Sequence, residues 1–411
     1  MAGVGWIDFS PNHREKVATV IELLKPEGQV DELGIGIIRN SLSDILFPGT
    51  STIQTRAKYF LIVPRILKEF QRAYENRKTK PQLKEYLKKR ENQIIRFLAD
   101  KYKESDEQGV FGITLAGKAA GRELARKPSS VYWTGLRSFK IIRTTLSLNE
   151  YLAKHDSQES IIDLMEIIGD EKGDDLDAGY EDTFGISLPD GNIDWDKNLS
   201  IDLTSEEAGF LKDKIIDNHK DKMIGQVLKD KALMDLFVRA KSFRDMCDVF
   251  MEQRIPAKTR TYLKLAKDFD EIIHGAHIRY NCLLQKKFGT DVLLKRFSRD
   301  WDAWWQHISE NGGVLNDFDE NDLIEMATTL RWFTRDFVKN WVAGLRRSEA
   351  NEYFDALVES QEKRNKGRKA RLGQAPGEAK TVNEWIGING LTYRYPVVRT
   401  IVNDIKQGLG W

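Results

Sequence analysis

The segment that most constrains the fold runs from residue 30 to residue 66, where two helical patterns flank a Pro-Gly turn. Asp31 precedes the first helix and is a residue type that caps helix N-termini. Pro48 disfavours helical geometry at Phe47, and Gly49 can adopt a positive φ, so we expect the first helix to end there. Five apolar residues recur at helical spacing before the turn: Ile35, Ile38, Leu42, Ile45 and Leu46.

The polar residues of this segment are not arranged as on an ordinary solvated helix. Asn40 and Asp44 lie four residues apart, on the face opposite the apolar stripe and beside Leu33 and Ile37. After the turn, hydroxyl side chains stand where we expect the second helix to begin, and free backbone N–H groups at a helix start bind anions. We therefore expect the ligand or the chemistry at this hairpin. The polar residues after the turn are Thr50, Ser51, Thr52, Gln54, Thr55, Arg56, Lys58 and Tyr59.

The composition is that of a soluble globular protein, with 41% hydrophobic and 31% charged residues among 411. A net charge of +1 means that any nucleic-acid-binding surface has to be local. We interpret Cys247 and Cys282 as small buried side chains in a reducing compartment. The chain shows neither a membrane-spanning stretch nor a signal-peptide pattern, so we expect a cytoplasmic protein with no membrane partner.

Helical periodicity dominates the chain and predicts a mainly α, multi-helical two-domain protein with few short strands, one of them near Val110. Thr204 and Glu207 have the spacing of a capping box. The predicted segments are a basic N-terminal helical domain that carries the hairpin (1–168), an acidic Gly-rich linker or loop (169–200), a helical C-terminal domain (201–360), a basic mobile loop (361–380) and a C-terminal segment that packs back (381–411).

Two further basic regions are candidates for contact with DNA. A helix that starts at Pro128 carries Trp133, Arg137 and Lys140, which would suit a helix laid along a phosphate backbone, or equally an ordinary amphipathic helix with a buried tryptophan. The cluster of Lys and Arg within 363–371 can bind a polyanion by counterion release. Five tryptophans are spaced like helix-packing aromatics and are interpreted as core residues: Trp301, Trp304, Trp305, Trp332 and Trp341.

Known catalytic motifs are absent from the sequence. There is no P-loop, no His-Glu-x-x-His and no Cys-x-x-Cys. His274 and His277 are three residues apart on a predicted helix but have no evident third ligand, so we expect no metal and no cofactor. The remaining candidates are Asp8, Asp31 and Asp44, since a carboxylate in a partly apolar pocket can stabilise an oxocarbenium-like sugar cation.

Asp8 lies between Trp6 and Phe9 and is either a capping acid or a site acid. If the substrate is a nucleotide in DNA, its base must leave the stack, and an aromatic side chain such as Tyr59 or Trp133 would hold it. This glycosidic chemistry is compatible with the residues, although they do not demand it.

Residues 47–57, FPGTSTIQTRA, resemble the hairpin of helix-hairpin-helix DNA-repair proteins. In that motif a Leu-Pro-Gly-x-Gly turn offers backbone N–H groups to a DNA phosphate. Here the second glycine is Ser51, and the catalytic aspartate expected beyond the turn is absent between Phe70 and Arg77. The resemblance implies phosphate binding but does not extend to the glycosylase signature.

A broader resemblance covers nearly the whole chain. The segments GWIDFS, VDELGIGIIRNSLSDILFPGTSTIQTRAKYFLIVP, KPSSVYWTGL, IDLTSEEAGFL and RYPVVRTIVNDI are similar to a bacterial family first described as a domain of unknown function and found in phage-defence neighbourhoods. The resemblance points to the bacteriophage-replication-inhibition DNA glycosylases, which excise glucosylated hydroxymethylcytosine. It implies a DNA-acting defence protein without a metal, whose partner is double-stranded, modified phage DNA.

We therefore predict a DNA glycosylase that leaves an abasic site. The resemblance transfers no catalytic residue, and Asp44 and Asn40 are chosen from helix geometry, with Asp8 as a further catalytic candidate. The alternatives are a non-catalytic DNA-binding subunit of a defence complex and a nuclease. The predicted contacts are Ser51, Thr52, Thr55, Arg56, Lys58, Arg137 and Lys140 to phosphate or sugar, and Tyr59 and Trp133 to the base.

Overall fold

The structure is a computed structural model, and it describes residues 31–74, 80–113, 124, 126–156, 185–189, 195–310, 312–375, 382 and 384–411. Over these residues the protein is mainly helical, which confirms the predicted fold class. Within the same ranges the strands are β1 (Ile142–Arg143) and β2 (Gly185–Ile186), an antiparallel pair in which Ile142 lies opposite Ile186. Asp8 and most of the segment 169–200 lie outside the described residues.

The described part of the chain contains sixteen α-helices and one short 3-10 turn, Gly367–Lys369. In chain order the helices are α1 Gly36–Leu46, α2 Tyr59–Tyr74, α3 Leu83–Tyr102, α4 Pro128–Ser138, α5 Leu148–Asp156, α6 Ser205–His219, α7 Met223–Val227, α8 Lys231–Arg239, α9 Phe243–Met251, α10 Ala257–Phe288, α11 Asp291–Glu310, α12 Gly312–Asp317, α13 Glu320–Met326, α14 Trp332–Arg346, α15 Asn351–Lys366 and α16 Tyr395–Gly408.

The end of α1 follows the sequence signal, but its start does not: the helix begins at Gly36, with Ile35 at the N-cap position, and not directly after Asp31. The Asp31 carboxylate accepts hydrogen bonds from the backbone N–H groups of Ile35, at 3.0 Å, and Gly36, at 2.7 Å, so it caps the helix from outside. The helix ends at Leu46, and Gly49 has a φ of +76°. A Cβ on Gly49 would lie 2.7 Å from a ring carbon of Phe139, so the close approach of α4 also requires glycine here.

The second helix does not begin directly after the turn, as predicted, but at Tyr59. Side chains in the connection bond to nearby backbone instead: the Thr50 hydroxyl donates to the Phe47 carbonyl oxygen at 2.6 Å, and the Gln54 amide donates to the Gly49 carbonyl oxygen at 3.2 Å. Such local bonds satisfy the backbone in a non-helical conformation. The polar residues 50–58 therefore form a loop before the helix rather than its first turns.

Caps and glycines also move other predicted boundaries. The helical region after residue 222 is divided into α7, α8 and α9, because the side chains of Asp230 and Ser242 cap two helix starts. The strand expected near Val110 is a turn over residues 110–113, with left-handed Gly109 just before it and left-handed Gly112 within it. The predicted loop 361–380 is helical up to Lys366, where α15 ends. By contrast, the Thr204–Glu207 capping box is confirmed.

Helix α10 is largely buried, and tryptophans of α11 and α14 donate hydrogen bonds to its backbone. The indole N–H of Trp304 donates to the Glu271 carbonyl oxygen at 2.9 Å, and that of Trp341 donates to the Ile272 carbonyl oxygen at 3.1 Å. With Trp301 also buried, the core interpretation is confirmed for these three residues, as is the burial of both cysteines. It is wrong for Trp332, whose accessible fraction is 66%.

Buried apolar residues from both predicted domains belong to one contiguous cluster, which runs in sequence from Leu33 to Ile405. Helix α1 packs against α10, and the C-terminal α16 packs against α6 and α8. The division of the chain at residues 168 and 201 remains a prediction from the sequence. None of the described helices is both long and apolar enough to cross a membrane.

The imidazole of His277 is buried on α10, and neither ring nitrogen has a hydrogen-bond partner in the described structure. Burial, and after it the neighbouring His274, lowers the pKa of His277 to about 3. The side chain is therefore neutral in the folded protein, whereas the unfolded chain binds a proton near pH 6.5. Its contribution to stability is complete above that pH and is lost as the pH falls towards 3.

We expect His277→Leu to flatten the acid side of the stability profile. Between about pH 7.5 and about pH 5 the free energy of unfolding should fall by about 2 kcal/mol less in the variant than in the wild type. Urea denaturation at a series of pH values measures both slopes. Parallel profiles would show that His277 does not become protonated on unfolding.

Candidate functional site

Asp44 lies on the exposed side of α1, and 64% of its side chain is accessible. Its Oδ1 accepts a hydrogen bond from Nη1 of Arg394 at 2.5 Å, and the same nitrogen donates to the Thr50 carbonyl oxygen at 2.6 Å. The Arg394 side chain is only 12% accessible. The sequence suggested a partly apolar pocket for this carboxylate, but it lies at the surface, held by a mostly buried guanidinium.

The backbone that carries Arg394 is strained. Arg394 has a φ of +65° and Tyr393 a φ of +47°, a left-handed conformation that costs a residue other than glycine of the order of 1–3 kcal/mol. The hydroxyl of the buried Tyr393 donates to the Ala266 carbonyl oxygen at 2.8 Å, and that of Tyr395 donates to the Phe237 carbonyl oxygen at 2.6 Å. These bonds to α10 and α8 hold the strained turn, and with it the guanidinium beside Asp44.

A second guanidinium, that of Arg39, lies on α1, the helix that also carries Asp44. Nε and Nη2 of Arg39 donate to Oδ1 of Asn40 at 3.3 and 3.1 Å. Burial lowers the pKa of Arg39, the Asp31 carboxylate opposes this shift, and the Arg394 guanidinium adds to it. We call Arg39, Asn40, Asp44 and Arg394 the α1 face. This face carries two guanidiniums and two carboxylates in its surroundings, because Arg394 pairs with Asp44 and Asp31 is the nearest opposite charge to Arg39.

A cleft of about 230 Å³ opens beside the C-terminal end of α1. Tyr262 is its aromatic wall, and the ammonium group of Lys258 lies 6.0 Å from the centre of that ring. Sequence reasoning missed the cleft because its walls come from three separate parts of the chain, and no local pattern brings them together. The lining residues are Ile45, Leu46, Asp221, Lys222, Lys258, Thr259 and Tyr262.

The Arg56 side chain, predicted to hold phosphate, is buried among carboxylates. Its Nε lies 2.9 Å from both carboxylate oxygens of Asp404 on α16, and its Nη2 lies 3.2 Å from Asp202. Glu107 is a further ion-pair partner. The guanidinium is thus neutralised within the protein, and a phosphate would have to displace these carboxylates.

Lys58 is bound in the same way. Its Nζ donates to both carboxylate oxygens of Glu207 at 2.9 and 2.6 Å and to the Asp202 carbonyl oxygen at 3.0 Å. Arg65 also reaches Glu207, at 2.7 Å. These buried ion pairs join the loop after the turn to α6, so the structure places Lys58 and Arg56 in internal contacts and not on a DNA-facing surface.

The two predicted base-contacting side chains are also buried. The Tyr59 hydroxyl accepts a hydrogen bond from the Phe111 N–H at 2.9 Å, and the Trp133 indole N–H donates to the Leu146 carbonyl oxygen at 3.0 Å. Both rings pack in the core: Tyr59 lies against Tyr132 of α4, and Trp133 lies against Tyr151 of α5. Neither ring is accessible to an extruded base.

The remaining predicted contacts lie at or near the surface of the loop and of α4. Thr52 and Lys140 are exposed. The hydroxyl oxygens of Ser51 and Thr55 are buried without a hydrogen-bond partner among the described residues. Arg137 donates from Nε to the Thr144 carbonyl oxygen at 3.2 Å. Of the described side chains, no three His, Cys, Asp or Glu are grouped so that they could hold a metal ion.

The protein is mainly helical. Its α1 face presents the exposed Asp44 carboxylate and two guanidiniums, and a cleft opens beside the C-terminal end of α1. The sequence profile of a family described as a family of unknown function, DUF6361, matches residues 1–404, and the chain belongs to that family. No curated protein and no solved structure matches the chain.

The ion pairs Arg56–Asp404 and Arg394–Asp44 allow a matched test of which pair stabilises the fold. The Asp404 side chain is 3% accessible, and Asp404→Ala removes both carboxylate oxygens that Nε of the buried Arg56 contacts. We expect a loss of about 3 kcal/mol in the free energy of unfolding. Asp44→Ala breaks an exposed pair and should cost less than about 1 kcal/mol. Urea denaturation compares them, and equal losses would contradict the internal role of Arg56.

Proposed function

We propose that the protein is a DNA glycosylase of antiphage defence that excises glucosylated hydroxymethylcytosine from phage DNA and leaves an abasic site. The observation that carries the proposal is the Asp44 carboxylate, which is accessible to a macromolecule and yet fixed in position by Arg394. The near full-length resemblance to phage-defence glycosylases supports the choice of reaction.

Cleavage of the N-glycosidic bond requires chiefly a negative charge placed next to the sugar. As the bond between C1′ and the base nitrogen breaks, the electron pair leaves with the base and positive charge develops on the sugar. The Asp44 carboxylate stabilises that charge, and a water molecule then adds its oxygen to C1′ while its proton passes to solvent or to the released base. Because Arg394 holds the carboxylate before the reaction, little reorganisation is needed.

The α1 face also offers donors for the DNA backbone. Arg394 uses Nη1 for Asp44 and Thr50, while its Nε and Nη2 have no partner in the described structure. Arg39 directs two nitrogens to the neutral amide of Asn40. Guanidinium groups bind phosphate oxygens through paired hydrogen bonds. In the proposal these two arginines bind phosphates on either side of the target nucleotide.

The cleft beside α1 takes the extruded base in this proposal. Tyr59 and Trp133 are buried, so the accessible aromatic ring for stacking is Tyr262 in the cleft wall. Lys222 and Lys258 also line the cleft and carry donors that suit the hydroxyl groups of a glucosylated base. The proposal thus moves the base contact from the hairpin to the start of α10.

A DNA-binding subunit without catalytic activity is the second candidate. It is favoured by the burial of four predicted substrate contacts, Arg56, Lys58, Tyr59 and Trp133, which leaves Asp44 with fewer supporting groups than the sequence suggested. This candidate predicts salt-sensitive binding of DNA with no change in the DNA.

The test is to incubate the protein with phage DNA that carries glucosylated hydroxymethylcytosine and to measure alkali-labile abasic sites and released base. Asp44→Asn should lower the excision rate by about 100-fold or more, the size of a lost electrostatic contact to the transition state. Asp213→Asn, at an exposed aspartate on α6, is the matched control and should be unaffected.

Phage DNA without the modification should yield no abasic sites. Full activity of Asp44→Asn would refute the assignment of that residue. Salt-sensitive binding without abasic sites on any modified DNA would refute the reaction and favour the second candidate.

A further inference from the structure

Trp332 is the first residue of α14 and is the most exposed aromatic side chain among the large apolar residues exposed in the described structure. Two-thirds of its surface is accessible, whereas Trp301, Trp304 and Trp341 are buried in the core. Its position at the helix start places the indole outside the apolar face of α14, which Phe337 and Trp341 form. The indole ring is therefore available to a partner.

The indole is held between charged and aromatic neighbours. The guanidinium carbon of Arg364 lies 5.4 Å from the centre of the Trp332 ring, and the Phe333 ring lies edge-on at 5.9 Å. Arg331 lies 5.7 Å from the centre of the Phe333 ring. Such cation–π contacts restrict the indole and place positive charge beside its exposed surface.

A hydrogen bond joins α14, which carries Trp332, to α15, which carries Arg364. The Gln361 amide donates to the Leu33 carbonyl oxygen at 2.6 Å and to the Thr334 hydroxyl at 3.2 Å. One turn later the Asn365 amide donates to the Asp31 carbonyl oxygen at 2.8 Å. The ends of α14 and α15 thus meet the segment that leads into α1, so Trp332 and Arg364 are presented by a fixed junction.

Most positive charges around this junction are not neutralised. Lys363 pairs with Glu359 at 2.7 Å, and Lys366 pairs with Glu32 at 3.2 Å. The other basic residues of the junction have no carboxylate within 4 Å among the residues that the structure describes. They are Arg331, Arg335, Arg364, Arg368 and Lys369. An exposed indole in contact with the unpaired guanidinium of Arg364, at a junction that carries further unpaired cations, suits a ligand that is both planar and anionic.

We infer that Trp332 and Arg364 form a binding site for single-stranded DNA, in which an unpaired base stacks on the indole and the flanking phosphates contact Arg364 and Arg368. Every base has a π-face, so such a site tolerates any sequence, and an unpaired strand offers its bases where a duplex does not. An apolar protein partner would leave these cations without counter-charges. The inference is independent of the excision proposed above, because it concerns binding alone at a different surface.

The test uses a fluorescein-labelled oligodeoxythymidine of about 12 nucleotides and measures its anisotropy with the full-length protein over a series of salt concentrations. Trp332→Ala should weaken binding at least about 5-fold at every salt concentration, and Trp332→Phe, which keeps a ring, should retain most of the affinity. Arg364→Gln with Arg368→Gln should reduce the slope of log affinity against log salt by about 0.7 for each lost phosphate contact.

Phe97→Ala is the matched control, because Phe97 is an exposed aromatic residue on α3, away from these charges, and its loss should leave binding unchanged. An oligonucleotide of abasic spacers should bind the wild type as weakly as the thymidine strand binds Trp332→Ala. Equal affinity for the two strands, or an unaffected Trp332→Ala, would overturn the site, and tighter binding of the matching RNA would overturn the choice of DNA.

Phage DNA that carries the modification reports excision, and the unmodified thymidine strand reports binding at Trp332. Failure of one proposal therefore does not count against the other.

Discussion

The buried ion pair between Arg56 and Asp404 is the interaction on which the candidate site depends. Arg56 lies in the loop before α2 and Asp404 on the C-terminal α16, and the same carboxylate also accepts the backbone N–H of Ala57 at 2.8 Å. A buried pair of this kind adds little net stability, but the loss of either partner leaves an uncompensated charge. It therefore fixes which loop meets which helix, and it holds the N-terminal hairpin against the end of the chain.

This junction explains why Arg394 is beside Asp44. With α16 held against the loop, the turn that precedes α16 is brought to the exposed side of α1, and the left-handed residues Tyr393 and Arg394 direct the guanidinium to Asp44 and Thr50. The strain of that turn is offset by the hydrogen bonds of Tyr393 and Tyr395. The α1 face is thus assembled from the two ends of the described chain.

The two proposed DNA contacts use the same chemistry at different places. The α1 face combines guanidiniums with a carboxylate, which suits reaction at a sugar, while Trp332 and Arg364 combine a guanidinium with an exposed ring, which suits stacking. Residues 31–34 lie between them, because Asp31 caps α1 and its carbonyl oxygen binds Asn365 of α15.

Local signals in the sequence determined the helical class, the Pro-Gly turn, the Asp31 cap and the capping box of Thr204 and Glu207, because each depends on residues only a few positions apart. The partners of Arg56, Lys58 and Arg394, the exposure of Trp332 and the cleft at Tyr262 were decided by tertiary structure. A charged or aromatic residue looks the same in sequence whether it faces solvent or the interior. Only the packing of α16 on α6 and α8, and of α15 against the start of α1, brings together the atoms that settle its environment.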